Sequence, residues 1–325
     1  MTQPDSTRPE NNTSEVTPQD VAGRPGEHAI FIILALKDYQ AAKPVVQELC
    51  GTLPALLRSL RNRFPGQGVS AVMGFGALAW AGLFPERAKP KELTVFEEIR
   101  GQKHVAVATG GDLFFHLRAS RMDAIMELAT YISSDLAEVA SPIDETHGFR
   151  YLDSRAIIGF VDGTENPEED EALAAAAIGP EEPEYMGGSY AMTQKYLHNL
   201  AAWNAIPVEE QEKVIGRHKY NDRELTDEEK PENAHNVVTN ISGPEGQELK
   251  IVRANIAFAN PSRGEYGTYF IGYAGTFSTT KRMLENMFIG EPTGNTDLLL
   301  EYSQAISGAL FFVPSRDLLE ALAED

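Results

Sequence analysis

The chain has 325 residues, 42% of them hydrophobic, which is enough for about two domains with ordinary apolar cores. Its 28 lysines and arginines face 48 aspartates and glutamates. The net charge of −20 repels phosphate backbones and anionic lipid, so neither nucleic acid nor a membrane surface is an expected partner. The single cysteine, Cys50 in VVQELC, excludes an internal disulfide or a thiolate metal cluster and reads as a core thiol.

Residues 1–26 are polar and carry Pro4, Pro9, Pro18 and Pro25, so a disordered tail is expected there. No apolar run approaches the roughly 18 residues of a membrane span, and the start shows neither a charged-then-apolar signal nor twin arginines. The expected location is the cytoplasm. Structure should begin near His28 with the β-like run HAIFIILAL. Tyr39 to Arg63 follows with helical spacing of Val45, Val46, Leu49, Leu53, Leu56, Leu57 and Leu60. VSAVMGFG, HVAVATGG and DLFFHLRA read as strands, Arg121 to Val139 as a helix and FRYLD as a closing strand. That order is the ferredoxin-like or split-βαβ pattern.

The second half has similar elements. SYAMTQKYLHN, ELKIVRANIAF, GTYFIGYAGT and GALFFVPS read as strands, and Val208 to Gly216, Thr279 to Ile289 and Leu298 to Ile306 as helices, with a short terminal helix. The fold class is therefore α+β, with two ferredoxin-like domains, each an antiparallel sheet with flanking helices. The expected division is a tail over 1–26, an N-terminal domain over 27–145 and a C-terminal domain over 146–325. ENPEEDE, GPEEPE and NDRELTDEEKPEN read as solvated acidic loops.

Two motif-like stretches carry little. Gly74 to Ala79 fits a loose GxGxxA, but the hairpin-like segments after it do not build a dinucleotide fold. DGTENPEEDE lacks the ligand spacing of a calcium loop. More telling is RAIIGFVDGTENP, where an apolar run ends on Asp162 at a glycine turn; a turn-forming aspartate would account for that much. Alternation in ELKIVRANIAF puts Ile251, Arg253, Asn255 and Ala257 on one strand face. An arginine and an asparagine on an apolar face need partners or a ligand, and a structural ion pair is one answer. A carboxylate beside that guanidinium would be another, a proton-handling pair. His235, in ENAHNVV, lies where an acidic loop turns apolar; context alone allows an ordinary loop histidine.

GFVDGTENP, IVRANIAF and GRHKYNDREL followed by AHNVV together resemble the dye-decolourising peroxidases, and the compact length resembles their bacterial B-type (P-type) subgroup. The resemblance covers His28 to the end of the chain. It implies paired ferredoxin-like domains and non-covalent haem b in the C-terminal one, consistent with the absence of CxxCH. It implies a haem peroxidase that reduces hydrogen peroxide and oxidises dye or phenolic donors in one-electron steps through a ferryl intermediate, commonly as a homo-oligomer. By position, His235 would be the iron ligand, and Asp162, Arg253 and Asn255 would lie on the peroxide side. Asp297 is the candidate acceptor behind His235, Arg217 a propionate partner, and Gly163, Thr164 and Glu165 further cofactor neighbours. Phe270 and Phe288 are candidates to pack on the porphyrin. His218 stands where threonine is expected, which weakens detail at the haem edge. Trp80, Trp203 and the 11 tyrosines are all candidates for an electron relay. A haem-handling protein with the same fold, used for iron release, storage or transport, is the alternative; it would need His235 but not the Asp162–Arg253 pair.

Overall fold

The structure is a computed structural model, and it describes residues 16–23 and 25–325. In chain order the N-terminal half runs β1 (His28–Leu36), α1 (Tyr39–Arg63), β2 (Ser70–Phe75), α2 (Ala77–Leu83), β3 (Ile99–Arg100), β4 (Val105–Ala106), β5 (Leu113–Ala119), α3 (Met122–Leu136) and β6 (Ala140–Phe149). The C-terminal half runs α4 (Glu169–Ala176), β7 (Ser189–His198), α5 (Leu200–Ala205), α6 (Val208–Ile215), α7 (His235–Thr239), β8 (Ile241–Ser242), β9 (Glu248–Leu249), β10 (Val252–Arg253) and β11 (Ile256–Asn260). It continues through β12 (Glu265–Ala274), α8 (Phe277–Phe288), β13 (Ser303–Ala305), β14 (Ala309–Val313) and α9 (Arg316–Ala321).

Each half builds a ferredoxin-like antiparallel sheet, β6-β1-β5-β2 in one and β11-β12-β7-β14 in the other. The sheets join edge to edge at single bridges, Ala257 with Phe149 and Phe312 with Phe75, and so close into a barrel. Closure explains why HAIFIILAL is apolar on both faces. Phe31 and Ile33 point into the barrel with Phe114, Tyr269 and Phe311, whereas Ile30, Ile32 and Leu34 join the core beneath the helices. Asp38 starts α1 by accepting from the Ala41 amide at 2.8 Å. Val46, Leu49, Leu53 and Leu60 of α1 are then buried on one face. Among the described residues, no helix is long and apolar enough to cross a membrane.

Four readings change. Tyr151 makes only an isolated bridge with Arg155 across a turn at 152–154, and the strand that closes the first sheet is β6, whose alternating polar residues hid it. HVAVATGG contributes only Val105–Ala106, paired with Ile99–Arg100 outside the barrel. Leu298 to Ile306 is a 3₁₀ turn, Leu298–Glu301, followed by β13; its three consecutive leucines mimic a helical face, but the next residues pair with β7 from Ser303 opposite His198. The tail reading also needs correction over 16–23, while residues 1–15 and 24 lie outside the described residues. Val21 is buried, and the Gln19 amide spans Met73 and the Pro314 carbonyl at 2.9 Å each. Asp20 accepts from Ser70 at 2.6 Å. Polar side chains anchor this segment together with a single buried valine, so composition misled.

Candidate active site

The loop after β6 is folded on itself by Arg155, whose guanidinium donates to the Gly159 and Lys219 carbonyls at 2.9 and 2.6 Å. Arg155 also bridges Val161, and the Asp162 amide donates to the Ser154 carbonyl at 3.0 Å. Gly163 then turns the chain at φ 81°, a conformation costly for other residues. The turn presents the Asp162 carboxylate towards Asn255. Asn255 Nδ2 donates to Asp162 Oδ1 at 3.2 Å, while Asn255 Oδ1 accepts the Ile271 amide at 3.2 Å. A side-chain oxygen thus takes the place of a ladder carbonyl between β10 and β11. The expected alternation holds: Ile251, Arg253 and Asn255 line a cavity, whereas Val252, Ala254 and Ile256 enter the barrel core.

His235 opens α7 on another wall of the same cavity. Its Nδ1 lies 2.7 Å from Asp297 Oδ2. A carboxylate can only accept, so Nδ1 carries the proton and Nε2 is left as the ligating nitrogen. Asp297 is fully buried, and its other oxygen accepts the Leu299 amide at 2.8 Å. Burial pushes the imidazole down, but the charge and hydrogen bond of Asp297 outweigh it and hold His235 above its usual range.

Between these walls the cavity holds about 1000 Å³ of atom-free space, counting its mouth. Its lining is mostly apolar: Ile158, Phe160, Ile215, Phe270, Met283, Leu284, Met287 and Leu299. Into it β7 and β12 turn a polar row absent from the sequence reading, Gln194, Tyr196, His198 and Thr268. Neighbours in register, Gln194 beside Phe270 and Tyr196 beside Thr268, share that face. Thr193 and Lys195 at the intervening positions of β7 mask this row in the sequence. His198 is held by Ser303 at 2.6 Å and Thr268 at 2.9 Å, and burial pushes it down to about 4.

These residues fit a haem. The Nε2 of His235 is left open on an apolar slot, and two buried donors, Arg253 Nε and Gln194 Nε2, lack partners among the described residues. A second cavity, with about 1060 Å³ of atom-free space counting its mouth, meets the first at Asp162, Arg253 and Asn255 and is lined by Ser154 and Arg155.

The other candidates are dispersed. Phe270 lines the cavity, and Gly163 lines the second one. Phe288 is buried in the main core. Thr164 donates to Asp222 at 2.7 Å, and Glu165 pairs with Arg217 at 2.7 Å. Arg217 also donates to the Asp222 carbonyl at 2.9 Å. His218 pairs with Glu212 at 3.0 Å. Trp203 is packed against Phe160 at 6.0 Å, whereas Trp80 lies among Phe75, Phe84, Tyr185 and Phe312.

Family models for the N-terminal and C-terminal parts of Dyp-type peroxidases match residues 19–150 and 153–318. A dye-decolorizing peroxidase of Rhodococcus erythropolis is 45% identical over 294 residues, 90% of this chain and 85% of that protein. A solved dye-decolorizing peroxidase from Bacteroides thetaiotaomicron has 59% identity and a TM-score of 0.92, covering 95% of this chain and 99% of that one. A DypB variant of Rhodococcus jostii, solved in complex with heme, has 44% identity and a TM-score of 0.91, covering 94% and 98%. More distant is a deferrochelatase of Escherichia coli, 24% identical over 71% of this chain and 61% of that protein.

Proposed function

The chain belongs to the Dyp-type peroxidase family and is a haem-dependent peroxidase of hydrogen peroxide and organic donors, and from that premise we propose that His235 holds the iron while Asp162 and Arg253 act on peroxide. One observation carries the reading. His235, backed by Asp297, and the Asp162–Asn255–Arg253 group line a single apolar cavity.

Bound there, haem b would supply the two electrons that reduce the peroxide O–O bond, and organic donors would return them one at a time. Asp162 Oδ1 is engaged by Asn255, so Oδ2 is the atom that takes a proton from peroxide and returns it to the departing oxygen. Arg253 stays charged and stabilises negative charge as that oxygen leaves. Peroxide would enter through the second cavity, whose inner wall is the same trio. Phe270 would pack against the macrocycle, and Arg217 would meet a propionate by exchanging its present partner Glu165. Gly163, Thr164 and Glu165 would shape that edge. A homo-oligomer in the cytoplasm completes the reading, by family resemblance; light scattering and fractionation test those two points.

The deciding experiment is an absorption spectrum of the haem-loaded protein before and after one equivalent of peroxide. The expected result is a Soret band that changes at once, slowed about a hundredfold or more in Asp162→Ala or Arg253→Leu. A band indifferent to peroxide would favour haem handling, and no Soret band would remove the reading.

A further inference from the structure

The loop and the strand that carry Asp162 and Arg253 are tied by two asparagines working in opposite directions. Asn255, on the strand, holds the Asp162 carboxylate. Asn166, later in the same loop as Asp162, holds the main chain of Arg253 on both sides. Its Nδ2 donates to the Arg253 carbonyl at 2.6 Å, and its Oδ1 accepts the Arg253 amide at 2.9 Å. Among the described residues, strand β10 is an edge strand, paired only with β12. Its outward N–H and C=O at Arg253 would otherwise be unpaired, and one primary amide supplies what a neighbouring strand would.

The guanidinium gains little fixing from its own contacts, since its buried Nε has no partner among the described residues. The aim of that side chain is therefore set by its main chain. We propose that Asn166, which lines the second cavity, is a positioning residue for the peroxide reaction, acting through the main chain of Arg253. The proposal rests on the distal assignment of Arg253. It is specific to asparagine: aspartate lacks the donor, and glutamine is one methylene too long to span both atoms.

The test uses the haem-loaded enzyme with Asn166→Asp and Asn166→Ala, each made alone and with Arg253→Leu. Two quantities are followed: the second-order rate with peroxide, and amide exchange of the segment containing Arg253, read by mass spectrometry. Asn166→Asp keeps the side-chain volume, so a result remains even where the alanine variant folds poorly. The expected outcome is a loss of about tenfold to a hundredfold in rate, with faster exchange at Arg253 and haem retained. In the Arg253→Leu background the same substitution should cost less than about twofold, because its target is gone. Equal losses in both backgrounds, or unchanged exchange, would overturn the proposal and leave the distal reading intact. Wild-type peroxide rates in Arg253→Leu itself would overturn that reading and the proposal with it.

Discussion

Asp297 is a carboxylate with no solvent exposure, a costly placement unless both oxygens are paired. One is paired with His235 and the other with the Leu299 amide. Asp297→Asn keeps the shape but removes the charge that orients the imidazole and strengthens it as a donor. Haem affinity should fall about tenfold to a hundredfold, and the iron reduction potential should rise. Unchanged affinity and potential would count against His235 as the ligand. His198 supports a second prediction. Its folded-state value of about 4 lies below the ordinary 6.5, so on acidification the unfolded chain takes up a proton that the folded chain refuses. The associated stabilisation is complete above about 6.5, is lost as pH falls towards 4, and amounts to about 3 kcal/mol. Denaturation curves at neutral and acid pH should show a shallower loss in His198→Gln than in wild type; parallel losses would assign the acid sensitivity elsewhere. At this scale the sequence was informative where chemistry is local. Asp162 stands at its own glycine turn, and Arg253 interrupts its own strand face. Asn166 was invisible as a clamp because its target lies 87 residues further along the chain, reached only through the fold.

Among the elements, short ones carry the function and long ones carry the frame. Helix α1 and strands β1, β5 and β7 could be read from periodicity because both their faces or one whole face are buried. Strand β6 and the 298–306 stretch could not, since β6 is half polar and three successive leucines serve the cavity wall and core instead of a helix. Helix α5 shows what the short elements add. It places Trp203 6.0 Å from Phe160 on the cavity wall and 5.2 Å from Tyr302, centroid to centroid. Tyr302 is half-buried at the rim of a pocket with about 730 Å³ of atom-free space, counting its mouth, that also holds Tyr266 and shares His198, Leu300 and Ser303 with the cavity. Three rings thus lead from the cavity to a place that a bulky donor can touch, whereas none of the rings around Trp80 lines the cavity. Trp203→Phe and Tyr302→Phe should therefore lower turnover of a large dye about tenfold while the peroxide reaction stays at the wild-type rate, a split that locates the loss in electron delivery. Equal dye turnover in all three proteins would rule this route out.

The molecule as a whole is a closed barrel whose two seams are single bridges, and closure was not legible because each seam joins residues far apart in the chain. Net charge, by contrast, needs no fold to be read, and its consequence belongs to the whole surface. At −20 the protein should repel anionic donors during approach and attract cationic ones. The pocket beside Tyr302 does little to reverse this locally. Its Glu301 pairs with Lys103 at 3.0 Å, and its Glu265 lies 3.9 Å from Arg263, so nearby cations are matched by carboxylates. Raising ionic strength from about 0.01 to 1 M shortens the screening length from about 30 to 3 Å. The specificity constant for a sulfonated dye should then rise, that for a cationic dye should fall, and that for a neutral phenol should stay level. The peroxide reaction provides the control, because uncharged hydrogen peroxide is not steered by the field. A sulfonated dye that loses rate with salt would instead mean that donors meet a locally basic surface despite the overall charge.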